Sequence, residues 1–179
     1  MLLVAGWVQL REPVRTTFQP ESKLQLDGTS SVHDWTCNAT QLTGFVETDD
    51  SDGLQVLKTE VTIPVEAIDC GHKAMNGRLA STMKSKEHPN VVYSLTEAKV
   101  VANPSPDTYK LQTTGNLTIA GVQKSVAMVV DAKRLADGRF QFTGSVPLLT
   151  TDFGMRPVTF LAIKTGDEVK VTFDVISAP

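Results

Sequence analysis

Cys37 and Cys70 are the chain's two cysteines, and a histidine stands close to each, His33 and His72. Three chemistries are open to such a set. The thiols could join as a disulfide, closing a loop worth roughly 3.5–4 kcal/mol in the loop-entropy account, which requires an oxidising compartment. They could be buried free thiols, packing as small hydrophobes. Or, with the two histidines, they could bind zinc, although Cys70-Gly71-His72 is tighter than usual ligand spacing and the chain has no CxxC. The third histidine, His88, precedes Pro89 at an expected helix end, where the helix dipole favours a surface cation over a catalytic base. GxSxG, GxGxxG, P-loop and HExxH patterns are absent, and the carboxylates show no paired spacing on a common element. The acidic ETDDSD at 47–52 lacks EF-hand spacing and reads as a solvated turn. Asn38 and Asn116 open Asn-x-Thr sequons, which matter only in a eukaryotic secretory host. No constellation argues for catalysis, and none calls for a cofactor or a metal.

The elements that must position these residues are strands. Turn signals recur: DSDG at 50–53, NG at 76–77, NPSPD at 103–107, AG at 120–121, ADG at 136–138 and TGD at 165–167. Between them the hydrophobic period is two, as in Val169, Val171, Phe173 and Val175 against Lys170, Thr172 and Asp174. Strands are expected at 22–27, 30–38, 41–48, 54–64, 90–101, 108–119, 122–134, 139–149, 158–163 and 168–177. One helix is expected over 77–89, where Leu79 and Met83 lie four apart and Pro89 stops the run, with a short turn over 67–75. One oily and one wet face per strand suits an all-β antiparallel barrel of about eight strands with a single short helical segment.

A chain of 179 residues, 41% hydrophobic, suits one domain. Net charge is −3, with no basic footprint of a nucleic-acid binder. No apolar run reaches the ~18 residues of a transmembrane helix, so stable membrane insertion is not expected. MLLVAGWVQLREP opens with an apolar stretch as long as a short signal-peptide core, but no basic segment precedes it. Residues 1–20 are therefore expected to be a tail or the remnant of an export signal. Residues 21–179 would form the single barrel domain, in the periplasm or secreted.

Four stretches then suggest a family. HPNVVYSL (88–95), GNLTIAGVQKSVAMVVDA (115–132), TTDFGM (150–155) and LDGTSSVHDWTC (26–37) resemble, in order, segments of the YceI-like polyisoprenoid-binding family. The central strand pair is the most specific. One departure is that Thr151 stands where the family often has Arg two residues before the Phe-Gly, which puts a role of that Arg at the barrel mouth in doubt unless Arg156 substitutes. The resemblance implies a lipocalin-like barrel with a long apolar cavity. It also implies a periplasmic or secreted protein, monomeric or homodimeric, whose partner is an isoprenoid or other lipid.

The residues expected to face that cavity follow from strand parity and the helix. They are Phe45; Val61 and Ile63; Met75, Leu79 and Met83; Val91, Tyr93 and Leu95; Leu117 and Ile119; Val126, Met128 and Val130; Phe140 and Phe142; Phe153 and Met155. The plain alternative is that they fill a packed core and serve a non-catalytic interaction or stress-response domain. Against it stand small branched walls, an aromatic content of only 6%, and methionines of the adaptable kind found at loosely specific apolar sites. An enzyme on apolar substrates would need a triad, metal set or cofactor motif that the chain does not display.

Overall fold

A computed structural model describes residues 12–157, 159–160 and 163–179. Among these residues twelve strands and one α-helix follow one another. They are β1 (Val14–Thr17), β2 (Lys23–Ser30), β3 (Trp35–Ala39), β4 (Thr43–Asp49), β5 (Gln55–Pro64), β6 (Ile68–Asp69), α1 (Lys73–Thr82), β7 (Asn90–Ser105), β8 (Thr108–Ile119), β9 (Val122–Arg134), β10 (Phe140–Leu149), β11 (Thr159–Phe160) and β12 (Ile163–Ile176). They form a single sheet in the order β1-β4-β5-β7-β8-β9-β10-β12-β2-β3-β6, with β11 beside β12. The strand pairs are antiparallel throughout. The sheet curls on itself. Just past β1, Phe18 bridges Ser177 at the end of β12, and Ala178 donates its N–H to the Thr17 carbonyl at 2.6 Å. The result is an all-β, lipocalin-like barrel.

Local chemistry explains the long hairpins. In β8 every second residue from Tyr109 to Ile119 is buried, so one face turns wholly inward. Ala120 and Gly121 then take φ of 50° and 80°. Positive φ at both central residues gives the turn whose twist matches the flanking strands. Leu117 and Ile119 join Ile63, Val65, Ile68, Met83 and Phe153 in one core cluster. At the other end of β8, Tyr109 and Leu111 join Val46, Leu54, Val130, Phe142 and Val175 in a second.

The wall is uneven. β5 pairs with β7 only through Glu60–Pro64 against Ser94–Asn90. Below that the β4–β5 hairpin leans over the floor, burying Val46 and Leu54 against β8, while Asp50 meets Arg134 at 2.8 Å. Among the described strands, the rest of β7 pairs with β8 alone. Its ladder is irregular after Leu95 and again around Ala102, and it carries the Lys99–Glu97 ion pair at 2.7 Å. Bulges and charges are how exposed sheet edges avoid pairing with other chains.

Several expectations shift. Twelve strands stand where about eight, read from ten strand segments, are expected; the two without an expected segment, β1 and β6, are too short to show a period, while β11 lies within the expected 158–163. β1 lies inside the segment expected to be a tail; the part of that expectation falling on residues 1–11 lies outside the described residues. The helix starts at Lys73 rather than near 77, so Asn76-Gly77 sits within it instead of at a turn. Asn76 earns that place through its side chain: its Oδ1 accepts the Cys70 N–H at 2.8 Å and its Nδ2 donates to Asp69 at 2.9 Å. Thr165–Asp167 is a slip in the β12–β2 register, not a turn between strands.

Candidate functional site: an apolar cavity inside the barrel

The inward faces do not fill the barrel. They enclose a cavity of about 550 Å³ that reaches from the first core cluster into the second. Val61 and Ile63 of β5, Val91, Tyr93 and Leu95 of β7, and Leu117 and Ile119 of β8 lie on its wall, as do Met128 and Val130 of β9 and Phe142 of β10. From above, Met75, Leu79 and Met83 reach it from α1 and its end, and Phe153 and Met155 from the turn after β10. Burial pushes the Tyr93 hydroxyl above the ordinary phenol range, so it stays neutral in this wall.

Three expected residues lie off the wall. Phe45 is on the opposite face of β4 from buried Val46, with the Arg15 guanidinium 3.8 Å over its ring. Strand parity puts only one of two neighbours inside, and here the smaller residue takes that place. Val126 is buried, but it packs within the first core cluster rather than against open space. Phe140 stacks on Phe142, its centroid 6.0 Å away, beneath Arg134 at the floor. Other wall residues were missed, among them Leu26, Trp35, Leu111, Val171, Phe173 and Val175. Those of β12 belong to its alternating oily run, whose inner face completes the wall.

The mouth is built by α1, the β2–β3 turn and the segment after β10. His33, His72, Arg78 and Arg156 lie on the cavity's lining there, which includes no carboxylate among the described residues. Asp167, beside the lining residue Gly166, is committed to the turn after β10. Asp167 accepts from Thr150 Oγ1 at 2.7 Å, from the Thr151 N–H at 2.9 Å and from Thr151 Oγ1 at 2.6 Å. These donors hold its carboxyl below the ordinary range. Thr151 thus anchors the turn that buries Phe153 and presents Arg156. Among the described residues no group of three or more His, Cys, Asp or Glu side chains gathers as a metal site.

The two cysteines are joined to each other in the structure, rather than standing as free thiols or metal ligands. Both face the cavity. The bond ties β3 to the residues leading into α1, a helix with little of its own to hold it. Its His72 N-cap makes no side-chain cap bond and its first turn has no acidic residue, and Gly77 weakens its middle.

The YceI-like domain pattern matches residues 17–176. The chain belongs to the YceI-like family. Solved structures agree on the fold of this YceI-like chain. Burkholderia cenocepacia BcnA superposes with a TM-score of 0.75 at 20% identity, covering 88% of this chain and 97% of that one. A polyisoprenoid binding domain from Saccharophagus degradans, implicated in plant cell wall breakdown, gives 0.73 at 14% identity, covering 94% and 100%. The Campylobacter jejuni YceI protein gives 0.63 at 18% identity, covering 80% and 84%. No curated protein matches the sequence significantly.

Two predictions follow from the mouth. Replacing both cysteines by serine is expected to lower stability by roughly 3.5–4 kcal/mol; an unchanged urea midpoint under non-reducing conditions would count against a stabilising bond. The Asp167 carboxyl is depressed in the folded state, so its contribution is present at neutral pH and is lost as pH falls through the folded value. The gap in Tm between wild type and Asp167→Asn should therefore be open at pH 7 and close below the ordinary Asp value of 3.8. A gap independent of pH would mean that the carboxylate's charge is not what the threonines hold.

Proposed function

We propose that this protein binds an isoprenoid or another long apolar lipid in its barrel cavity, and stores or carries it outside the cytoplasm without catalysis. The observation that carries the reading is the apolar wall around about 550 Å³ of open space. Family membership supports it, as does the neighbour described as a polyisoprenoid binding domain. Each CH₂ moved from water into such a wall gains about 0.8 kcal/mol, so a few isoprene units offset the ordering of a flexible tail. The polar head would rest at the mouth beside Arg156, which is on the lining, whereas Asp152 and Lys124 are not. The disulfide supports an oxidising location.

Protein purified without detergent is expected to yield a stoichiometric apolar chain on solvent extraction and mass spectrometry. Added isoprenoid quinone is expected to raise Tm, since a ligand that binds only the folded state stabilises it by mass action. Empty extracts together with an unmoved Tm would end the carrier reading.

The packed-core reading is tested at Met128, which lines the cavity, and Val129, 50% exposed on the other face. Met128→Trp should leave the lipid-free protein about as stable as wild type while shortening or abolishing uptake, and Val129→Trp should leave uptake intact. In a filled core the added bulk would instead cost about 1–3 kcal/mol.

A further inference from the structure

Three glycines on the inner face of the sheet share an arrangement that their backbones do not require. Gly28, Gly115 and Gly144 have no positive φ, so any residue could adopt their conformation. Each instead lies under an aromatic ring. Gly28 is paired across the ladder with Trp35, and Gly144 with Phe173. Gly115 is paired with Leu95, which places it diagonal to Tyr93, the partner of Leu117. A methyl group added at Gly28 would overlap the Trp35 indole, one at Gly115 the Tyr93 ring, and one at Gly144 would come within 2.6 Å of Phe173 Cζ. Trp35, Tyr93 and Phe173 all line the cavity. Trp35 and Tyr93 belong with the core cluster at the mouth and Phe173 with the cluster at the floor.

The rings therefore lie down on the wall, into space that side chains would otherwise take, instead of standing across the bore. We propose that these three glycine–aromatic pairs set the bore of the cavity, and with it the length of chain the protein accepts. The proposal rests on the lipid-binding reading and deepens it by naming the residues that determine specificity for chain length. A ring lifted off its glycine has one direction left, toward the middle of the barrel.

Gly115 offers the cleanest test, because an added Cβ there meets only the Tyr93 side chain and no backbone atom among its nearest neighbours. Binding of geraniol and of geranylgeraniol, the same chain at two lengths, is measured by equilibrium dialysis. Wild type is expected to prefer geranylgeraniol. Gly115→Ala is expected to lose about tenfold or more of that preference as the displaced ring shortens the bore. Adding Tyr93→Ala to Gly115→Ala is expected to restore it, a recovery that mere damage to the sheet would not allow. An unchanged preference in Gly115→Ala, or no recovery in the double variant, overturns the proposal and leaves the lipid-binding reading standing. A wild-type protein that binds neither alcohol overturns both. Should Gly115→Ala fail to fold, Gly28→Ala with and without Trp35→Ala is judged by the same criterion.

Discussion

The backbone ladder carries this fold, because the interior that would ordinarily carry it is partly open. Side chains facing a void forfeit the dispersion contacts that a filled core supplies. What remains is a sheet wound far enough round for its N-terminal strand to bridge the residues after β12, with a dense cluster at each end of the bore. The rest of the molecule serves that enclosure. The β4–β5 hairpin leans across the floor, α1 and the turn after β10 cover the top, and the disulfide joins the cover to the wall.

Much of this was legible in the amino-acid order because a half-buried strand alternates. β8, β9, β10 and β12 sit within a few residues of their expected spans, and the oily face of each turns inward. The misreadings have physical causes. A strand of two residues, such as β6, contains no period to detect. At β4 parity admits either Phe45 or Val46 on the inner face, and Phe45 was the one expected there. In the structure Val46 is the buried one, and the Phe45 ring lies on the other face beneath the Arg15 guanidinium. At Val126 the face was right, but parity says only which side a residue points to, not whether space lies beyond it. Asn-Gly reads as a turn when its side chain is ignored, and here the Asn76 amide ties the helix to the strand before it.

The mouth shows the reverse case, in which the meaning of a residue appears only when distant parts of the chain meet. Thr151 looked like the loss of a family arginine. Folded, it donates twice to Asp167 and so fixes the segment that presents Arg156. Cys37 and Cys70, separated by 33 positions, restrain a helix whose own caps and composition do little to keep it formed. Neither relation leaves a local motif.

The bridge between Phe18 and Ser177 also governs how the barrel can be attached to anything else. It gathers the start and the end of the described chain beside the floor cluster, at the opposite pole from α1 and Arg156. Whatever pulls on the barrel through Phe18 or Ser177 would therefore load its base, and the opening would face away from the point of load.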